Sequence, residues 1–127
     1  MKIEHIGFNV REPVEMAKWL VTHLGMRIVR KHGPPTHAHF LAGDAGEMVE
    51  VYHNPKATVP DYAAASSLVM HLAFVVDDMQ ATRQRLVKAG ATLEGDIAFN
   101  DEGDELAMVR DPWGFPVQLV KRAKPMV

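Results

Sequence analysis

Hydrophobic and polar positions alternate along the first ten residues in the way that is typical of a β-strand. Ile6, Phe8 and Val10 share one face, and polar or small residues between them share the other. A helix is predicted next, because a proline suits its first turn and apolar residues then recur at helical spacing. Gly25 ends this helix. Three further strands are predicted over residues 26–30, 37–42 and 47–53.

The same order of elements begins again near Leu68. Alternating apolar residues predict a strand, two aspartates predict a helix N-cap, and a helix is predicted over residues 79–89. Strands are then predicted over residues 91–94, 105–110 and 116–121. Such internal similarity indicates a repeated unit. The sequence therefore predicts an α+β fold of two tandem βαβββ modules, at residues 1–54 and 68–127, with a linker over residues 55–67.

Composition narrows the classes of function. The chain has 127 residues, a net charge of −2 and no cysteine. This charge gives no basic surface for nucleic acid or an anionic membrane, and no apolar run is long enough to cross a bilayer. The lack of cysteine excludes disulfides, Cys-zinc sites and thiol catalysis. No signal-peptide pattern follows Met1, so a cytoplasmic protein is expected.

Polar residues occupy equivalent places in the two predicted modules. His5 and His71 lie on the first strands, and Glu50 and Gln118 lie on the last strands, opposite the most hydrophobic face. An unpaired carboxylate inside a concave sheet is costly, so Glu50 should pair or bind a cation. Two imidazoles with oxygen ligands suit a divalent transition metal. Structural histidines and a solvated strand face would give the same pattern, so the residues alone leave both interpretations open.

Four stretches of the sequence together resemble the vicinal oxygen chelate superfamily, which includes glyoxalase I, bleomycin-resistance proteins and extradiol dioxygenases. They are His5-Ile6-Gly7, Glu50-Val51, His71-Leu72-Ala73 and the run from Asp111 to Leu119. The resemblance covers nearly the whole chain and is closest to glyoxalase I-like proteins. It implies a curled, cup-shaped mixed sheet with helices on its outer face. It also implies one divalent transition metal per site (Zn, Ni, Co, Mn or Fe), bound by His5, Glu50, His71 and Gln118.

The resemblance implies an enzyme, with one departure from the family pattern. The implied activity is that of a metal-dependent lyase or isomerase, related to lactoylglutathione lyase, that acts on a carbon next to a carbonyl through an enediolate. Glu50 would be the catalytic base. Gln118 stands where bacterial glyoxalase I has a glutamate, so Glu50 is the one carboxylate in the implied ligand set. Asn9 replaces an expected arginine and residues 100–105 are acidic, so the expected small-molecule substrate is not a glutathione hemithioacetal.

Other members of the superfamily provide alternatives. One is a metal-independent protein of the bleomycin-resistance type that sequesters a drug or another small molecule. Others are an enzyme like methylmalonyl-CoA epimerase and an enzyme like an extradiol dioxygenase. A homodimer is expected, with the modules pairing either within one chain or across the two subunits. Candidate substrate contacts are Asn9, Asn54, Trp113 and His39, the last placed on the strand face opposite Phe40.

Overall fold

A computed structural model describes all 127 residues of the chain. The contacts between residues divide the chain into two compact units, Met1–Pro60 and Asp61–Val127. Neither helix has the length and apolar character that a membrane span requires. The predicted α+β fold of two βαβββ modules is confirmed, with elements in the order β1 (Ile6–Asn9), α1 (Pro13–Leu24), β2 (Arg27–Lys31), β3 (His39–Ala42), β4 (Met48–Tyr52), β5 (Leu72–Val75), α2 (Met79–Lys88), β6 (Thr92–Phe99), β7 (Glu105–Arg110) and β8 (Pro116–Lys121).

The first unit is a four-stranded mixed sheet with α1 on one face. The strand order is β1-β4-β3-β2, and β1 runs parallel to β4 while the other pairs are antiparallel. Helix α1 ends at Gly25, which takes the left-handed conformation that glycine adopts without strain. The helix contacts β3 and β4, and its buried Leu20 belongs to the same core as Leu41 and Val51. Glu50 therefore lies on the sheet face that α1 leaves uncovered.

The second unit repeats this connectivity with the strand order β5-β8-β7-β6. Asp78 caps α2 as predicted, since its carboxylate accepts a hydrogen bond of 2.9 Å from the Ala81 amide. Strand β6 is longer than the predicted residues 91–94. Its pairing with β7 becomes irregular between Glu94 and Ala98, where Gly95 has a positive φ of 75°. The strand continues beyond this bulge to Phe99, whereas the sequence pattern predicted that it ends at Glu94.

A buried carboxylate organises the turn between β7 and β8. The Asp111 side chain accepts hydrogen bonds from the amides of Trp113 and Phe115, at 2.9 and 2.8 Å, through one oxygen. Its second oxygen is buried and has no hydrogen-bond partner. Burial raises the pKa of Asp111 from its ordinary value of 3.8 to about 6, although the two amide hydrogen bonds act in the opposite direction.

We expect this carboxyl group to make the protein less stable as the pH rises. Because the folded-state pKa exceeds the unfolded-state value, the contribution of Asp111 is fully present below about pH 4 and is lost as the pH passes about 6. The loss is about 3 kcal/mol, from roughly two pKa units at 1.36 kcal/mol each. Urea unfolding at several pH values should show a flatter profile for Asp111→Asn than for the wild type. Stability profiles that run parallel in the two proteins would contradict a raised pKa for Asp111.

Candidate metal centre

The first unit brings two of the predicted metal ligands together. Strand β1 pairs with β4 so that Gly7 lies beside Glu50, and His5 immediately precedes β1. The His5 Nε2 atom lies 3.5 Å from Glu50 Oε2, and the two side chains are 34% and 19% exposed. This separation is longer than a normal hydrogen bond. It is close to the roughly 3.4 Å between neighbouring ligand atoms around a tetrahedral zinc ion. The pair therefore has a spacing that suits a shared divalent cation.

Both predicted histidine ligands have their Nδ1 atom engaged by another group. Nδ1 of His5 contacts the Glu4 carboxylate. Nδ1 of His71 lies 2.9 Å from the backbone carbonyl of Ser67. Since a carbonyl oxygen only accepts hydrogen bonds, His71 must donate from Nδ1, and the neutral ring then carries its lone pair on Nε2. Metal-binding histidines are usually oriented by this kind of contact, so both rings can offer Nε2 to a cation.

Gly7 gives the Glu50 side chain the space that it occupies. A Cβ atom at this position would lie 3.1 Å from Glu50 Oε2 and 3.2 Å from Tyr52 Cε1. Both distances are shorter than ordinary van der Waals contacts, so a larger residue would require both side chains to move. Gly7 thus contributes to the position of Glu50 relative to His5.

We expect Gly7→Ala to weaken Zn²⁺ binding by about tenfold, because small displacements at a preorganised site are costly. Isothermal titration calorimetry with Zn²⁺ measures this change. Gly33→Ala is the matched control, since no atom lies within 4 Å of the Cβ that it would add. An affinity for Zn²⁺ that Gly7→Ala leaves unchanged would show that the glycine does not position Glu50.

The second unit repeats the backbone arrangement with different side chains. Strand β5 runs parallel to β8, and Ala73 lies beside Gln118 in the register that Gly7 and Glu50 have in the first unit. His71 precedes β5 by one residue, as His5 precedes β1. No group of three or more His, Cys, Asp or Glu side chains in the structure is placed to hold a metal ion. Each unit contributes one histidine and one oxygen-bearing side chain of the predicted set.

The prediction that His39 lies on the strand face opposite the core is wrong. His39 pairs with Val51 and is 7% exposed, so it lies on the helix-covered face of the sheet. Its Nδ1 atom is 2.7 Å from the carbonyl oxygen of His37. The neighbouring Phe40 pairs with Glu50 and shares its face, and the Phe40 ring meets His5 edge-on with 5.1 Å between ring centroids. The aromatic neighbour of the candidate centre is therefore Phe40, which the sequence pattern had assigned to the core.

Two predicted substrate contacts, Asn9 and Asn54, are hydrogen-bonded to each other. The Asn9 amide group donates to the carbonyls of Asn54 and Ala57, and its oxygen accepts from the Asn54 backbone amide at 2.8 Å. Asn9 is also buried. Its side chain therefore fixes the chain that follows β4. Trp113 is half-buried in the turn before β8, and its backbone amide donates to Asp111.

Comparisons with known proteins agree with this architecture. The model of the Glyoxalase/Bleomycin resistance protein/Dioxygenase superfamily matches residues 2–119. No curated protein matches the sequence. A glyoxalase family protein from Bacillus cereus has a TM-score of 0.81 at 15% identity, over 98% of this chain and 95% of that chain.

Two further solved structures share the fold. A glyoxalase I mutant from Zea mays has a TM-score of 0.75 at 22% identity, over 97% of this chain and 46% of that chain. TnmS3, an antibiotic binding protein from Streptomyces, has a TM-score of 0.71 at 18% identity, over 97% of both chains. The fold is thus found both in a glyoxalase I and in a protein that binds an antibiotic.

Proposed function

Since this chain belongs to the Glyoxalase/Bleomycin resistance protein/Dioxygenase superfamily, we propose that it is a metal-dependent isomerase or lyase acting on a carbon next to a carbonyl group. The observation that carries this proposal is the 3.5 Å separation between His5 Nε2 and Glu50 Oε2. His71 and Gln118 complete the proposed ligand set, through pairing of the two modules within one chain or across a homodimer. Nε2 of each histidine and the side-chain oxygens of Glu50 and Gln118 would be the ligand atoms.

Glu50 is the residue of this set that can move a proton. When bound, the divalent cation supplies positive charge that polarises a substrate carbonyl and makes the neighbouring carbon more acidic. Glu50 accepts the proton from that carbon and returns it. Gln118 is neutral, so the four residues carry one negative charge rather than two, and Glu50 is their one carboxylate. Phe40 lies beside Glu50 on the same sheet face and adds an apolar surface next to the proposed base.

Proton exchange tests this proposal without requiring the natural substrate to be known. A panel of small α-hydroxycarbonyl compounds is incubated in D₂O with the protein, and loss of the carbon-bound proton is followed by NMR. We expect exchange with Zn²⁺, Ni²⁺ or Co²⁺ and a return to the uncatalysed rate after chelation. Exchange that persists undiminished in EDTA would contradict a metal-dependent reaction.

A second candidate function is binding of a small molecule without a metal, and the aromatic groups near Glu50 favour it. The Phe40 ring centroid lies 5.1 Å from that of His5 and 6.3 Å from that of His32, and Tyr52 shares the Glu50 face. Such rings suit a flat aromatic ligand. Metal analysis after purification without added metal separates the two functions. A stoichiometric transition metal favours the enzyme, whereas a metal-free protein that binds a planar aromatic compound favours the binding protein.

A further inference from the structure

Arg110 is the most heavily hydrogen-bonded side chain of the second unit. It is 14% exposed, and its Nε and Nη2 atoms lie 2.8 and 2.7 Å from Oε1 of Glu94. It also donates to three backbone carbonyls at 2.8 to 3.0 Å. A guanidinium group satisfies several acceptors at once because its donors have a fixed planar geometry. The three carbonyls belong to Tyr62, Ala65 and Gly114.

These contacts fasten residues 61–67, here called the connecting segment, to the turn between β7 and β8. Ala63 packs closely on Gly114. A Cβ atom added to Gly114 would lie 2.4 Å from the Ala63 Cβ. The Tyr62 ring packs on buried Phe115, with 4.9 Å between ring centroids. The connecting segment therefore has a defined position on this unit, although its sequence of small and polar residues predicts only a linker.

The connecting segment ends at the residue that orients His71. Ser67 is 8% exposed, and its side chain together with the Arg110 guanidinium holds the pKa of Glu94 below its ordinary value. The backbone carbonyl of the same serine accepts the hydrogen bond from Nδ1 of His71. Leu68 and Val69, two of the three residues that separate Ser67 from His71, are 88% and 76% exposed, so the local chain has little packing of its own.

We propose that Arg110 is a positioning residue, which acts through its hydrogen bonds to the connecting segment to hold His71 in the tautomer whose Nε2 atom can bind a divalent cation. This role rests on the proposed function. Arg110 and Glu94 lie on the same sheet face as Gln118, because Glu94 pairs with Met108 and Met108 pairs with Gln118. The network that orients His71 therefore lies on the same sheet face as Gln118, the other proposed ligand of the second unit.

The first unit orients its histidine differently, and this difference provides an internal control. His5 contacts the adjacent Glu4 carboxylate, whereas His71 depends on a backbone carbonyl whose position is set by residues distant in sequence. A change at Arg110 should therefore affect His71 and leave His5 unchanged.

The test is ¹⁵N NMR of the histidine side chains in the metal-free wild type, Arg110→Lys and Ser67→Ala. Lysine keeps the charge but cannot reach all the acceptors of the guanidinium group. Arg83→Lys is the matched control, since Arg83 makes one exposed hydrogen bond to Gly95 in the same unit. We expect His71 to be protonated on Nδ1 in the wild type and in Arg83→Lys. In Arg110→Lys it should become a mixture of tautomers, and Ser67→Ala should shift it less in the same direction.

Zn²⁺ titration of the same variants separates this proposal from the proposed function. We expect Arg110→Lys to bind Zn²⁺ about tenfold more weakly, within the range known for residues that orient metal ligands. If His71 keeps its tautomer in Arg110→Lys and Ser67→Ala, the positioning role is overturned. If the tautomer shifts as expected but the wild type binds no Zn²⁺, the positioning role is supported and the metal site fails.

Discussion

Glu50→Gln is expected to reduce proton exchange by about a thousandfold while the protein still binds a divalent cation. Glutamine keeps the shape of the side chain and an oxygen that can bind the cation, but it cannot accept a proton at neutral pH. General base catalysis contributes factors of about 10² to 10⁴. Metal binding should weaken moderately, because the ligand set loses its one negative charge. Exchange rates in D₂O and calorimetry with Zn²⁺ measure the two effects separately.

Glu47→Gln is the matched control for this substitution. Glu47 lies in the turn before β4, is exposed and belongs to the same unit, so its neutralisation should leave both the exchange rate and the metal affinity unchanged. Equal loss of exchange in the two variants would indicate a general effect of charge. Normal exchange in Glu50→Gln would remove Glu50 from the proposed reaction.

The second large effect is expected for Phe115→Ala, which should destabilise the second unit by about 3 to 5 kcal/mol. Phe115 is 1% exposed and packs against the ring of Tyr62 in the connecting segment. Its loss leaves a cavity beneath that segment, because the backbone hydrogen bonds around Asp111 prevent the turn from closing over it. Urea unfolding followed by circular dichroism measures the free energy of unfolding.

Phe99→Ala removes the same atoms from an exposed site and provides the comparison. Phe99 is 71% exposed at the end of β6 in the same unit, so its replacement should change the free energy of unfolding by about 0.5 kcal/mol or less. Similar losses for the two variants would mean that Phe115 is not part of the core as described. The His71 tautomer should also become mixed in Phe115→Ala, since the connecting segment loses a support.

The module architecture could be predicted from the sequence because both modules use strong local patterns. Val49 and Val51 alternate with Glu50 along β4, and the structure buries the two valines on the helix-covered face. Glycine ends α1 and an aspartate caps α2, as their chemistry requires. The repeat then predicted that the last strand of the second module, β8, corresponds to β4.

The face of β3 could not be predicted because both of its faces carry apolar residues. His39 alternates with Phe40, and hydrophobicity alone assigned Phe40 to the core. The pairing with β4 reverses this choice, since Phe40 lies beside Glu50 and His39 beside Val51. The strand register depends on contacts distant in sequence, which a local pattern does not contain.

The contacts of Arg110 also could not be predicted from the sequence. An arginine at an alternating strand position is typical of a solvated face, and nothing near it in sequence identifies its partners. Those partners are Glu94 and backbone carbonyls of the connecting segment, which the fold brings to it. Asn9 could not be interpreted for the same reason, since its bonding partners follow β4 rather than β1.

We propose that His5, Glu50, His71 and Gln118 bind one divalent cation together. Titration with Co²⁺, followed by its visible absorption, tests it most directly in the wild type, His5→Ala, His71→Ala and the control His23→Ala. We expect one Co²⁺ per chain in the wild type and the control, and an affinity for Co²⁺ that is reduced by more than about a hundredfold in each of the other two variants. Wild-type affinity in either His5→Ala or His71→Ala would contradict it.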